Sequence, residues 1–158
     1  MTMLSNQDMT FLGQAVDLAE EALNAGDEPF ATVLVLDGQW VFRDHNRISG
    51  GDRTRHPEFA VARWAAENLT PEQREAAVTY TSGEHCAMCA AAHGWVGLGR
   101  IVYASSTEQL GEWMHEFGVA PGPVAPLPIN DVVPGVRVDG PAPLLADRIR
   151  DLHRRSRA

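Results

Sequence analysis

Two apolar runs joined by two residues narrow the fold more than anything else in this chain. Phe30-Ala-Thr-Val-Leu-Val-Leu36 is rich in branched side chains, Asp37-Gly38 follows, and Gln39 to Asp44 returns. An Asp-Gly link between strand-like runs is the signature of a tight hairpin, whose two central residues need positive φ. An antiparallel strand pair near the start is therefore expected. Ahead of it, Phe11, Leu12, Ala15, Val16, Leu18, Ala19, Ala22 and Leu23 recur at helical spacing within residues 8–25. Gly26 is a natural stop for that helix.

Beyond the hairpin, strands and helices alternate. Ile48 to Arg55, with Gly50-Gly51, is a polar loop. Pro57 to Leu69 is a helix whose proline suits the first position, where a missing N–H costs nothing. Thr70-Pro71-Glu72 starts a short turn or helix, and Ala77 to Ser82 is a strand. Cys86 to Gly97 is an Ala-rich buried helix, Arg100 to Ala104 a strand, and Thr107 to Phe117 a helix despite Gly111. Pro121, Pro123, Pro126 and Pro128 forbid regular structure and mark a long surface connection. Val132 to Val138 is expected as an edge strand, since Pro134 lies inside it. Leu144 to Arg155 closes the chain as a helix. The pattern predicts one α/β domain over residues 1–158, a three-layer α-β-α arrangement around a mixed five-stranded sheet.

Composition excludes several classes. The 158 residues fit one domain, and 44% hydrophobic with 7% aromatic residues suits a packed core. No apolar run approaches the roughly 20 residues of a membrane span. Met1 to Asp8 lacks the basic and apolar stretches of a signal peptide, so a cytoplasmic protein without a membrane partner is expected. A net charge of −8 argues against a nucleic-acid partner. All 13 basic residues are arginine, with no functional account available. Arg148, Arg150, Arg154, Arg155 and Arg157 crowd the last helix, where cations favour the C-terminus. The rival reading is a patch for an anionic partner.

The only two cysteines are Cys86 and Cys89, spaced C-x-x-C. In a cytosolic chain such a pair binds metal or does redox chemistry. Both thiols are expected at a helix start, which favours thiolates. Two thiolates three apart can chelate one tetrahedral zinc, and His56, also at the mouth of a helix, is the candidate third ligand. Three protein ligands leave a fourth position for a water whose pKa the metal lowers. Glu58, two residues from His56, leaves the helix start in a different direction and can serve as the proton carrier.

His56-Pro57-Glu58 together with Ser82-Gly83-Glu84-His85-Cys86-Ala87-Met88-Cys89 resembles the cytidine deaminase-like zinc deaminases. The branch is similar to guanine deaminase, with tRNA adenosine deaminase and fungal-type cytosine deaminase nearby. Pro29-Phe30-Ala31, Asn46 and the Ile101-Val102-Tyr103-Ala104 strand fit as well. Pro57 stands where such proteins usually carry Ala, and His85 where they carry Pro. The plainer role for His85 is to replace that proline on a packed loop; the other is to hydrogen-bond a ligand.

The resemblance implies that His56, Cys86 and Cys89 bind Zn²⁺ and that Glu58 shuttles protons. It implies N–H groups offered by the Glu84 to Cys86 backbone, an Asn46 contact to the base edge, and a Phe30 wall under the ring. Trp95 matches an aromatic near the base, or else packs on its helix. Glu108 or Glu112, with Glu116 a third candidate, matches an acidic group of the guanine branch. It also implies a homodimer, with residues from about 119 to 158 exchanged between subunits. His45, His93, His115 and His153 are read as surface or core histidines, and Trp40, Trp64 and Trp113 as core or interface residues.

The expected function is hydrolysis of an exocyclic amine on a free base: guanine, isocytosine, cytosine or an amino-triazine. The alternatives are a tRNA or nucleoside deaminase, a thioredoxin-like C-x-x-C oxidoreductase, and a module with a structural zinc closed by His85.

Overall fold

The computed structural model describes residues 3–158. Met1 and Thr2 of the polar opening stretch lie outside the described residues. Helix α1 spans Asn6–Asn24 and starts in a reciprocal cap between Ser5 and Asp8. Strands β1 (Ala31–Leu36) and β2 (Gln39–His45) are joined as expected, with Asp37 at φ 53° and Gly38 at φ 77°. A 3-10 turn at Ile48–Gly50 interrupts the polar loop. Helix α2 (Pro57–Asn68) begins on its proline, and α3 (Pro71–Ala76) follows behind a Thr70–Gln73 capping box. Then come β3 (Val78–Gly83), α4 (Ala87–Val96), β4 (Ile101–Ser105) and α5 (Thr107–Glu116). The chain ends with α6 (Ile129–Val132), β5 (Val138–Asp139) and α7 (Pro143–Ser156).

The five strands lie in the order β2-β1-β3-β4-β5. β1 pairs antiparallel with β2 and β3, whereas β3–β4 and β4–β5 are parallel. The sheet is therefore mixed, with helices on both faces. β1 shows how the layers divide: Ala31, Val33 and Val35 join one core with α1 and α7, and Leu34 joins another with α2. Successive strand residues face opposite sides, so one apolar run fills two cores.

The expected edge strand over Val132 to Val138 is not there. Only Val138–Asp139 pairs, while Val132 ends α6 and Val133 and Val136 are irregular chain, all three packed against Ala90 and Ile101. Their hydrophobicity records burial under α4 and not a ladder of hydrogen bonds, and Pro134 could not have supplied one. Val133 presses close enough that a Cβ on Gly94 would meet it at 2.9 Å.

A buried polar cluster locks α1 to the sheet. Asp8 accepts from Tyr80 Oη at 2.8 Å and from Arg100 Nη1 at 2.9 Å, and Arg100 Nε reaches Asp139 at 2.7 Å. Burial alone would raise the Asp8 pKa; the bonds from Arg100, Ser5 and Tyr80 outweigh it and hold the carboxyl well below the usual range.

Candidate active site

The site sits where β3 ends and two helices begin, at the carboxyl end of the central strands. His56 is the N-cap of α2, with extended backbone, so its ring stands outside the helix. Cys86 is the N-cap of α4 and Cys89 lies one turn further in. This brings three soft donor atoms together: Cys86 Sγ to His56 Nδ1 is 3.5 Å, Cys89 Sγ to His56 Nδ1 is 3.6 Å, and Sγ to Sγ is 3.6 Å. A tetrahedral zinc with bonds of about 2.3 Å to sulfur and about 2.0 Å to nitrogen sets edges of roughly 3.5–3.8 Å. The triangle matches those edges, and among the described residues it is the cluster able to hold an ion. His85 is not part of it, which overturns the closed-shell structural zinc. The Cys86 thiol is drawn down by its hydrogen bond from Cys89 and its contact with His56, while the same bond and burial push Cys89 up.

Glu58 projects from the first turn of α2 and is 5% exposed. Burial pushes its pKa up to about 7. Thr81 Oγ1 lies 3.0 Å from Glu58 Oε1 and 2.8 Å from the Gly83 carbonyl, and it accepts from the Thr32 hydroxyl at 3.1 Å. Its one proton can thus serve the carboxylate or the carbonyl.

A cavity of about 460 Å³ opens over the triangle and Glu58, with Phe30, Asn46, Glu84 and Cys86 in its lining. Gly83 lets Phe30 come close: a Cβ there would meet the ring at 3.3 Å. Behind Phe30 stands His153 of α7, with ring centroids 4.9 Å apart. Asn46 is buried, and its Oδ1 accepts from the Ile48 N–H at 3.1 Å, leaving the amide NH₂ as its free donor. Glu84 lines the cavity, but both its oxygens are occupied, by Thr107 N–H at 2.9 Å and Ile129 N–H at 2.8 Å. Its own N–H goes to Ser105 O, so of the expected backbone donors only His85 and Cys86 lack an acceptor among the described residues.

Residues 5–105 match the family described as the cytidine and deoxycytidylate deaminase zinc-binding region. The chain belongs to this deaminase family. It is 32% identical to a probable cytosine deaminase of Schizosaccharomyces pombe over 82% of its own length and 76% of that protein's. It is 38% identical to a guanine deaminase of Bacillus subtilis over 61% of its length, and 40% identical to a tRNA-specific adenosine deaminase of Agrobacterium fabrum over 54%. It spans 63% and 59% of those two bacterial relatives. The solved guanine deaminase of Nitrosomonas europaea superposes over 99% of this chain and 87% of its own, with TM-score 0.70 and 20% identity, a likeness of fold. The B. subtilis guanine deaminase structure gives TM-score 0.60 at 29% identity over 79% of this chain and 83% of that one. Family membership, with His56 joined to the C-x-x-C pair, removes the thioredoxin-like reading.

The other expected contacts are not brought to the cavity within this chain. Trp95 is 90% exposed on α4 and lies outside the lining. Glu108 and Glu112 stand exposed on α5, also outside it, and Glu116 pairs with Arg150 at 2.6 Å. Trp113 is buried in the α1–α7 core. His93 donates from Nε2 to Gly99 O, 2.8 Å away, and burial pushes its pKa down to about 4. His85 is 1% exposed, edge-on to His93 at 5.3 Å, with neither ring nitrogen partnered among the described residues. Residues 119–158 pack against their own chain in this structure, α7 lying on α1 and β4.

Sequence reasoning passed over Glu28, Arg53, Met88, Leu110, Pro123 and Val124, which also line the cavity. Glu28 precedes the Pro29-Phe30-Ala31 motif directly, and that adjacency was the available signal. No helix among the described residues is long and apolar enough to cross a membrane.

Proposed function

We propose that this protein hydrolyses an exocyclic amine from a free nucleobase or related heterocycle of the guanine, isocytosine, cytosine or amino-triazine type, releasing ammonia. The observation that carries the proposal is Glu58: a buried carboxyl beside the donor triangle, in a cavity of small-molecule size. His56 Nδ1, Cys86 Sγ and Cys89 Sγ would hold a zinc ion, which would supply the Lewis acidity that makes a water easier to deprotonate. Glu58 takes one proton from the attacking water and passes it to a ring nitrogen. As the C–O bond forms and the C–N bond breaks, the second water proton moves through Glu58 to the leaving amine. The amine departs as ammonia, and the ring keeps the oxygen as a carbonyl. The Thr81 hydroxyl holds the Glu58 carboxyl in line, and Asn46 offers its amide donor to an acceptor on the ring.

Charge supports a small substrate over tRNA. The chain carries −8, and each arginine of the crowded C-terminus has an acidic partner: Arg148 with Asp17, Arg150 with Glu116, Arg154 with Asp151, Arg155 with Glu20, Arg157 with Glu28. Those cations are matched at home, so the tail offers little to phosphates. The test is ammonia release by the zinc-loaded protein from guanine, cytosine, isocytosine, adenine and ammeline against cytidine, adenosine and guanosine. Turnover of a free base but not its nucleoside is expected. Salt-dependent deamination of tRNA with every base inert would replace this proposal with the RNA-editing one.

A further inference from the structure

Three carboxylates line the cavity: Glu58, Glu84 and Glu28. Glu58 faces the triangle and carries protons. Glu84 is fully engaged by two backbone N–H groups. Glu28 is the remaining one, and its side-chain partner is a loose ion pair, 3.7 Å from Arg157 Nη2 near the end of the chain. Its position within the cavity is also informative. Glu28 and Arg53 line both the cavity and a more open recess outside it, shared with Arg155 and Arg157, whereas Glu58 and Cys86 line the cavity alone. Glu28 therefore stands at the mouth, and Glu58 with Cys86 at the floor.

A ring whose amine lies at the floor turns its far edge to the mouth. In cytosine, whose amine at C4 lies across the ring from N1, that edge carries a ring N–H where the nucleoside carries its bond to the sugar. An ionised carboxylate accepts hydrogen bonds and donates none. It welcomes the N–H of the base, and it meets the nucleoside with nothing to accept and a sugar to accommodate.

Building on the free-base reading, we infer that Glu28 is the residue that selects free bases over nucleosides, accepting the ring N–H at the position a sugar would occupy. Arg157 is its positioning residue: the last turn of α7 places a cation beside the carboxylate and keeps it turned to the mouth. Sites built to hydrogen-bond a substrate group discriminate far better than apolar ones, because the unmatched polar partner is left without a bond.

The experiment uses the zinc-loaded full chain, wild type against Glu28→Gln, Glu28→Asp and Arg157→Ala, with each base and its nucleoside as a pair. Zinc content is measured alongside. Glu28→Gln is expected to lower kcat/KM for the preferred base roughly 10- to 100-fold, chiefly through KM, and to leave the nucleoside unchanged or improved. Glu28→Asp should restore part of the preference. Arg157→Ala should erode it in the same direction by about 2- to 5-fold. Equilibrium binding of the same pairs to the zinc-loaded Glu58→Ala protein, with and without Glu28→Gln, separates recognition from turnover. A base-to-nucleoside ratio unchanged by Glu28→Gln, in turnover or in binding, overturns the role of Glu28 even if bases are deaminated. Failure of every base to bind overturns it as well. Binding with a Glu28-dependent ratio but no ammonia from any base would keep Glu28 as the selector while removing the proposed reaction.

Discussion

The two faces of the sheet treat buried polar groups in opposite ways. On the α1 face, Asp8 meets Tyr80, Arg100 and the Ser5 backbone, and Arg100 goes on to Asp139, so every charge has a partner. On the α2–α4 face, Glu58 is held up near neutrality by burial, and Thr79 Oγ1 and both His85 nitrogens have no partner among the described residues. A matched network of this kind fixes geometry, whereas an incompletely matched one stores the tension that catalysis draws on. The same β3 strand supplies both: Tyr80 points to the quiet face, Thr79 and Thr81 to the reactive one.

The comparison can be broken at its most reactive residue. Glu58→Ala should keep zinc at wild-type stoichiometry and lose about 10²- to 10⁴-fold in turnover. Its urea midpoint should not fall, because a costly buried carboxyl has been removed. Wild-type turnover by that variant would end the proton-carrier role.

On the quiet face the effect should be on stability. Arg100→Ala leaves the buried Asp8 without its cation and Asp139 with Arg137 alone, and should cost about 3–5 kcal/mol in denaturant unfolding, without altering the KM of the folded fraction. The wild type should show a matching pH dependence. Since Asp8 has a lower pKa folded than unfolded, its contribution is complete above the unfolded value of about 4 and is lost as pH falls below it. Stability scanned from pH 6 to 2 should decline through that window, and less steeply in Arg100→Ala. The smallest expected change sharpens the contrast: Thr79→Val, removing an unpartnered hydroxyl at constant shape, should raise stability by about 1 kcal/mol. A loss of that size would mean the hydroxyl has a partner after all.

Local chemistry made much of this legible. Asp37-Gly38 set the hairpin, Pro57 the start of α2, and the H-x-E and C-x-x-C pairs named the triangle before any distance was known. What stayed hidden depends on remote chain. Glu84 was expected to offer its backbone N–H because nothing nearby shows that the Ser105 carbonyl claims it. Val132 to Val138 looked like a strand because apolar spacing reports burial, and burial under α4 needs no ladder. Trp95 matches an aromatic near the base only through the resemblance, and on α4 it faces outward instead. Glu28 carries no motif of its own, and its link to Arg157 spans nearly the whole chain.

The Glu84 carboxylate has one more consequence. It grips the first residue of α5 with one oxygen and the first residue of α6 with the other. Helix α5 and the proline-rich arch after it, which puts Pro123 and Val124 in the cavity lining, thereby form one loop pinned at both ends to a single side chain two residues from Cys86. Closing a flexible arch costs entropy that grows only slowly with its length, and this clasp meets that cost once, during folding. With both ends of that loop on one side chain, the wall that Leu110, Pro123 and Val124 give the cavity is tied to the same short segment that carries Cys86.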